Sequence, residues 1–314
     1  MFAPAAKRFI RLASQIPAYA TVEGSVVSSD DPEGTGPDDE AFGSGFESAD
    51  DDAVGGNEGF GDDFAAAFEG GMSGEEFDGE PDTAIPRIDV GVEGLDRMIH
   101  GGVPDRSLMV VIGAAGTGKT TFGLQFLEHA LANGEKAIYI TLEESREAVI
   151  DAATEKGWPF DEYAADDQLV IVDLDPIEMA NSLTSIRGEL PRLVEEHGAS
   201  RLVLDSVSLL EMMYDDQADR RTEVYDFTRS LKQAGVTTML TSEASEGSAY
   251  ASRHGIIEYL TDAVFVLQYV RSEFRETRLA VEIQKIRNAN HSRETKPYEI
   301  TGEGISVYQQ ANIF

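Results

Sequence analysis

The 314-residue sequence predicts an α/β fold, a mainly parallel sheet flanked by helices with β-hairpins at its C-terminal end, behind a disordered acidic N-terminal tail. Three observations carry this. From about residue 108 to residue 241, short apolar runs alternate with amphipathic stretches of helical length, the pattern of successive right-handed crossovers. One strand-to-helix junction among them is the glycine-rich loop Gly113-Ala114-Ala115-Gly116-Thr117-Gly118-Lys119-Thr120. Residues 21–82 hold twenty Asp or Glu and no Lys or Arg, and so contribute −20 to a net charge of −33.

Residues 1–20 place Lys7, Arg8 and Arg11 among Phe2, Phe9, Ile10, Leu12 and Ile16. They lack the continuous apolar stretch of a secretory signal, so export is not expected. A frayed terminus is favoured over a short amphipathic helix that touches a partner or a membrane surface. Residues 21–82, crowded with Gly, Ser and Pro, cannot bury enough apolar surface to offset their ordering entropy. Phe60, Phe64, Phe68 and Phe77 punctuate the acid, which suits either docking of a protein partner through short motifs or inert spacer. Residues 83–314 carry the remaining excess of acid, −16, and are expected to form one domain with a sizeable core.

Within that domain, 108–112 reads as a buried strand. Phe122, Phe126, Leu127 and Leu131 recur at helical spacing after the loop, and Gly134 closes the helix. Then follow a strand at 137–142, a helix at 145–156 stopped by Gly157, a strand at 169–174 and a helical stretch to His197-Gly198. A strand at 201–205, a helix at 220–233 ended by Gly235 and a strand at 236–241 complete the alternation. Beyond residue 259 the pattern changes to closely spaced strands at 259–270, 277–286 and 296–308, as hairpins at the end of a parallel sheet would give. No internal repeat is apparent, so a tandem of two such domains is not expected.

Composition narrows the function. Cysteine is absent, which excludes disulfides, thiolate metal sites and thiol nucleophiles. No apolar run reaches the roughly eighteen residues of a membrane span, and a cytoplasmic protein is expected. Acidity in both tail and domain, with seven Lys against eighteen Arg, suits a cytoplasm at very high salt; an acidic protein of ordinary salt is the alternative. The same acidity argues against broad nucleic-acid binding, leaving only a local basic patch as a route to DNA.

The loop 113–120 completes the pattern G-x-x-x-x-G-K-[ST] between a strand and a helix, the context that makes it specific for nucleotide phosphates. Its glycines let backbone N–H groups curl around phosphate oxygens at a helix N-terminus. Lys119 would reach the β- and γ-phosphates of ATP, and Thr120 would ligate Mg²⁺, with Thr121 beside it. Asp205, at the end of an apolar strand, is the candidate second Mg²⁺ element; its alternative is a turn cap. Glu143 and Glu144 sit where a strand meets a helix. One of them would activate the attacking water, while acidic residues also favour helix N-termini for dipole reasons alone. Thr241-Ser242-Glu243 closes another strand, as a γ-phosphate sensor or a polar turn. Lys285 and Arg287 fall on one strand face, either as a solvated basic face or as cations that stabilise a transferring phosphate.

Taken together, these stretches resemble the KaiC-type ATPases of the RecA superfamily. Residues 87–96 are similar to that family's first motif, Gly101-Gly102-Val103-Pro104 to its turn, and Gly116–Thr120 to its phosphate loop. Thr141-Leu142-Glu143-Glu144 resembles its paired catalytic glutamates, Leu204-Asp205-Ser206 its Walker B strand, and Thr241-Ser242-Glu243 its Thr-Thr-Glu. Lys285-Ile286-Arg287 with His291 resembles its Lys-x-Arg…His signature, and Ile300 with Gly304-Ile305 its closing strand. The resemblance covers essentially all of 83–314. It implies a RecA-like P-loop NTPase core and a catalytic role for Glu143 or Glu144. It also implies that Lys285, Arg287 and His291 reach the ATP of the adjacent subunit in a ring, usually a hexamer. Three departures stand out. Glu258-Tyr259 lies where some members autophosphorylate Ser and Thr, which argues against autokinase activity. Asn288-Ala289 replaces the usual Gly-Thr, and Asp105 replaces a common Gly.

The expectation is therefore a Mg²⁺-dependent, oligomeric regulatory ATPase coupled to an unknown protein partner. Two alternatives stand beside it. A RadA-related recombination ATPase would need a basic DNA-contacting loop, for which 247–254 offers little. A nucleotide-dependent scaffold would bind ATP with negligible turnover.

Overall fold

Every apolar run marked by the sequence between residues 108 and 241 is a strand of one sheet. The structure is a computed structural model that describes residues 84–271 and 277–308. The readings for residues 1–20 and 21–82, with their phenylalanines, lie outside the described residues. A short antiparallel pair, β1 (Arg87–Ile88) with β2 (Val103–Pro104), precedes the main sheet. That sheet contains β3 (Leu108–Gly113), β4 (Ala137–Thr141), β5 (Leu169–Asp173), β6 (Arg201–Asp205) and β7 (Thr237–Ser245). It continues through β8 (Ser248–Ser252), β9 (Ala263–Arg271), β10 (Thr277–Ile286), β11 (Lys296–Thr301) and β12 (Gly304–Val307). The order is β12-β11-β10-β9-β3-β7-β6-β4-β5, with β8 hung on β7. Strands β9, β3, β7, β6, β4 and β5 are parallel, while β10, β11 and β12 form an antiparallel wing.

The side chains of β3 alternate between two cores: Met109 and Val111 enter one, Leu108, Val110 and Ile112 the other. A strand covered on both faces has no polar side, which is why the run reads as continuously apolar. Helices α1 (Glu93–Ile99), α2 (Lys119–Ala132), α3 (Arg146–Thr154) and α4 (Phe160–Ala165) cover the first face through Leu95, Phe122, Val149 and Phe160. Helices α5 (Pro176–His197), α6 (Val207–Met212), α7 (Gln217–Ala234) and α8 (Ile257–Leu260) cover the second through Met179, Leu210, Phe227 and Ile257. Buried Arg201 on β6 fastens α2 to the sheet. Its guanidinium donates to the Phe126 carbonyl at 2.9 Å and lies 4.7 Å from the centre of the Phe126 ring.

Three elements differ from the sequence reading. Tyr259 belongs to the single-turn α8 and is exposed; the strand expected from 259 starts at Ala263. The run 296–308 is a hairpin, because Gly302 and Glu303 turn the chain between β11 and β12. β7 outlasts its apolar stretch and returns as β8, a polar hairpin without apolar alternation to announce it. Among the described residues, no helix is long and apolar enough to cross a membrane.

Candidate functional site

The parallel register levels the C-terminal strand ends: Gly113 lies opposite Glu243, Thr141 opposite Asp205, and Leu204 opposite Leu240. Open α/β sheets bind ligands outside that edge. A cleft of ≈ 400 Å³ lies there, lined by the loop residues Ala115, Gly116 and Gly118, by Lys119, Thr120 and Thr121, and by Glu143, Asp205, Glu243 and Ile300. The loop runs from the end of β3 into α2, whose N-cap Gly118 has φ +86°. Gly116 has φ +77°. A Cβ on Gly116 would stand 2.7 Å from the Tyr269 hydroxyl, and one on Gly118 equally close to Ile300. Positive φ and lack of room both demand glycine at these two positions. The Lys119 ammonium donates to the carbonyls of Gly113 at 3.0 Å and Ala114 at 3.2 Å, and the Thr117 hydroxyl also donates to Ala114.

Asp205 is the hub of the cleft. Its carboxylate accepts from the hydroxyls of Thr120 at 2.7 Å, Tyr139 at 2.8 Å and Thr241. Burial, reinforced by Asp205 itself, pushes the Tyr139 phenol well up, so Tyr139 remains a donor. Thr120 and Asp205 thus present two adjacent hard oxygen ligands of the kind Mg²⁺ prefers. The donor set fits the ion, and the glycine cradle beside Lys119 fits a polyphosphate.

Glu143 lines the cleft, and its carboxylate accepts from the Ser206 hydroxyl at 2.5 Å. The Thr141 hydroxyl accepts from the Glu143 and Glu144 amides at 3.2 and 2.9 Å and donates to the Glu144 carbonyl. This small turn fixes where both carboxylates leave the backbone. Burial raises the Glu144 carboxyl above the usual range, with Asp205 and Glu143 adding to the effect. Ser145 caps α3, accepting from the Ala148 amide, so the acidic pair sits just before a helix N-terminus.

The Thr241-Ser242-Glu243 triplet divides. Thr241 turns to Asp205 and Glu243 to the cleft, whereas Ser242 is buried 3.2 Å from Ser208 on the opposite side. Strand alternation imposes this split. Glu243 also pairs with Arg253, in the segment weighed for DNA contact.

Lys285, Arg287 and His291 do not join this cleft. β10 is antiparallel to β9, so its C-terminal end lies at the other edge of the sheet, with Ile286 opposite Ala263. Five residue steps along β3 from Leu108 to Gly113 put about 16 Å between the edges. The Lys285 ammonium donates to the carbonyls of Glu258 and Thr261 at 2.6 and 2.7 Å. Arg287 donates to the Asp262 carboxylate at 3.1 Å and to the Tyr259 carbonyl at 3.3 Å. The His291 ring lies 2.9 Å from the Ser292 carbonyl. A bulge between Ile283 and Lys285 breaks the simple alternation, yet both cations still converge on the C-terminal end of α8.

The departures have local explanations. Asn288 adopts φ +58°, the left-handed conformation that glycine takes freely and asparagine tolerates. Asp105 accepts from the Thr237 hydroxyl at 2.9 Å and from the Arg106 amide at 2.8 Å, and so ties the early turn to β7. Sequence reasoning missed Tyr139, Ser206, Tyr269, Tyr298 and Ile300 as site residues. Tyr139 had a visible signal, a phenol on a fully buried strand that requires a partner. Tyr269 and Tyr298 had none, because only the tertiary fold carries them to the loop.

Fold and loop together define a RecA-like P-loop protein. The family described as "ATPase: KaiC" matches residues 88–312, and the chain belongs to that family. It is 32% identical over 231 residues to the circadian clock oscillator protein KaiC of Acaryochloris marina (strain MBIC 11017), covering 71% of this chain and 44% of the relative. It is 30% identical over 232 residues to the protein of that description from Synechococcus elongatus, covering 72% and 44% respectively. The chain thus spans less than half the length of these curated relatives. Among solved structures, a KaiC-like protein of the hyperthermophilic archaeon Pyrococcus horikoshii OT3 superposes with a TM-score of 0.64 at 32% identity. That match covers 72% of this chain and all of the other.

Proposed function

We propose that the chain is a Mg²⁺-dependent ATPase whose active site is completed by a neighbouring copy in a ring, usually a hexamer in this family, and whose nucleotide state is read by a partner protein. One observation carries the proposal: the phosphate loop and its carboxylates occupy one edge of the sheet, and Lys285 and Arg287 occupy the other. A protomer therefore offers half of a phosphoryl-transfer site at each edge, and two copies are needed to make one whole.

In this mechanism Lys119 exchanges its loop carbonyls for β- and γ-phosphate oxygens, and the loop N–H groups hold the phosphates at the start of α2. Thr120 and Asp205 would hold Mg²⁺, which when bound supplies charge neutralisation between the β- and γ-phosphates. Glu143, steered by Ser206, orients water for in-line attack and takes its proton, while Glu144, with its raised affinity for protons, stands as the adjacent acceptor. Lys285 and Arg287 of the neighbour leave their own α8 carbonyls to meet charge developing on the γ-phosphate, with His291 beside them. Ser242 supports this machinery through Ser208, which also receives the Glu243 amide. Residues 83–314 form the ATPase domain in this reading, working in a cytoplasm at high salt, and residues 21–82 dock the partner.

Phosphate release by the full chain with ATP and Mg²⁺ in molar KCl tests the proposal. Turnover per protomer is expected to rise with protein concentration and to fall about 100-fold or more in Glu143→Gln. Tight ATP binding without turnover would overturn the hydrolase reading.

A further inference from the structure

The phosphate loop is held from outside by two tyrosines, one on β11 of the antiparallel wing and one on the neighbouring parallel strand β9. Tyr298 on β11 is buried, and its hydroxyl donates to the Thr117 carbonyl at 2.5 Å. Tyr269 on β9 is half exposed, and its hydroxyl donates to the Ala115 carbonyl at 3.2 Å. A planar trans peptide points its C=O and the next residue's N–H in opposite directions. A carbonyl of Ala115 drawn outward therefore turns the Gly116 N–H the other way, and the carbonyl of Thr117 does the same for Gly118. These N–H groups belong to the two glycines that line the cleft at positive φ. Glycine alone would leave both peptides free to flip, since its left- and right-handed conformations cost about the same. The Ala114 carbonyl needs no such help, because the Thr117 hydroxyl of the loop itself already donates to it.

We infer that Tyr269 and Tyr298 are positioning residues for anion binding, which lock the Gly116 and Gly118 peptides with their N–H groups aimed into the cleft. The inference rests on the reading of this cleft as the nucleotide site. Both hydroxyls come from the strands on either side of β10, where Leu279 lies opposite both tyrosines, outside the strand-loop-helix unit itself, so neighbouring strands preorganise a loop that this unit only supplies. Burial pushes the Tyr298 phenol up, which keeps it a donor across the neutral range.

The test uses the full chain in its wild-type, Tyr298→Phe, Tyr269→Phe and doubly substituted forms, with Tyr308→Phe as an exposed control. Two quantities are read: the dissociation constant for ADP with Mg²⁺, and the melting temperature without nucleotide. Loss of one orienting hydroxyl is expected to weaken ADP about fivefold, Tyr298→Phe more than Tyr269→Phe, and loss of both about tenfold or more. Tyr269→Phe should leave the nucleotide-free melting temperature within a degree or so of wild type, since its ring stays half exposed. Wild-type affinity in both single variants, whatever their melting temperatures, would overturn the inference. Failure of the wild-type chain to bind ADP would instead overturn the reading on which it rests.

Discussion

The two edges of the sheet are built on opposite principles. At the C-terminal edge, Asp205 gathers hydroxyls from α2, β4 and β7, and Lys119 folds back onto its own loop. Those partners are neutral groups that a nucleotide and its metal can displace. At the other edge, Asp262 draws cations from Lys232 at 2.8 Å and Arg287 at 3.1 Å, and its backbone locks to Leu108 and Arg287. At the first edge a buried carboxylate is held among hydroxyls, and at the second the cations are held by a carboxylate and by backbone carbonyls. A strand pair, β9 with β10, spans the distance between them. The contrast teaches that the two ends of one parallel sheet can be equipped with different chemistry.

The largest effects should come from breaking one edge while leaving the other intact. Lys119→Ala is expected to abolish turnover and weaken ATP by about 100-fold or more, because the buried phosphate charge loses its cation. Arg287→Ala should leave ADP affinity within about twofold while cutting turnover by roughly 10³, the loss typical of a missing arginine finger. Equal damage to binding in both variants would erase the distinction between the edges.

A smaller effect probes the element between them. Helix α6 follows Asp205 directly and carries Glu211, which is fully buried and has no hydrogen-bond partner for either carboxylate oxygen among the described residues. Burial raises its carboxyl from 4.5 to about 7; Glu258 adds to this, and Arg220 and Arg253 oppose it. Because the folded value lies above the unfolded one, this group's stabilising contribution is complete below pH 4.5 and disappears as pH rises through about 7. The span corresponds to about 3 kcal/mol. Asp96 is likewise pushed by burial to about 7, so Glu211→Gln should flatten this slope in denaturant melts between pH 4.5 and 7 without abolishing it. An unchanged slope would mean that Glu211 does not titrate in this window.

The smallest effect sharpens the trans edge. Asn288 holds φ +58° next to Arg287, and its carbonyl accepts from Arg87 at 2.9 Å. Asn288→Val forces a β-branched side chain into that conformation and should cost about 1–2 kcal/mol in thermal melts. Asn288→Gly should stay within about 0.5 kcal/mol of wild type.

The parallel half of the molecule was legible because its strands are covered on both faces and its two longest helices end on left-handed glycines, Gly198 and Gly235. The loop and Asp205 were legible for the same local reason: their chemistry lies at strand ends that hydrophobic runs mark. Legibility faded where residues act through tertiary contact. Alternation turns Thr241 to Asp205 and Ser242 to Ser208, but the sequence alone could not say which of the adjacent hydroxyls faces the cleft. The β7–β8 hairpin is polar on both faces, so no period announces it. Tyr269 and Tyr298 lie 154 and 181 positions from the loop residues whose carbonyls they bond, and no local pattern predicts such a meeting.

Mixing Lys119→Ala chains with Arg287→Ala chains measures the split site directly. Neither variant should release phosphate alone. Where an Arg287→Ala loop meets the intact cations of a Lys119→Ala neighbour, one complete site forms, and random mixing predicts recovery of roughly a quarter of wild-type turnover. Mixtures as inactive as either parent, under conditions where the chains co-assemble, would show that the two edges do not act on one nucleotide.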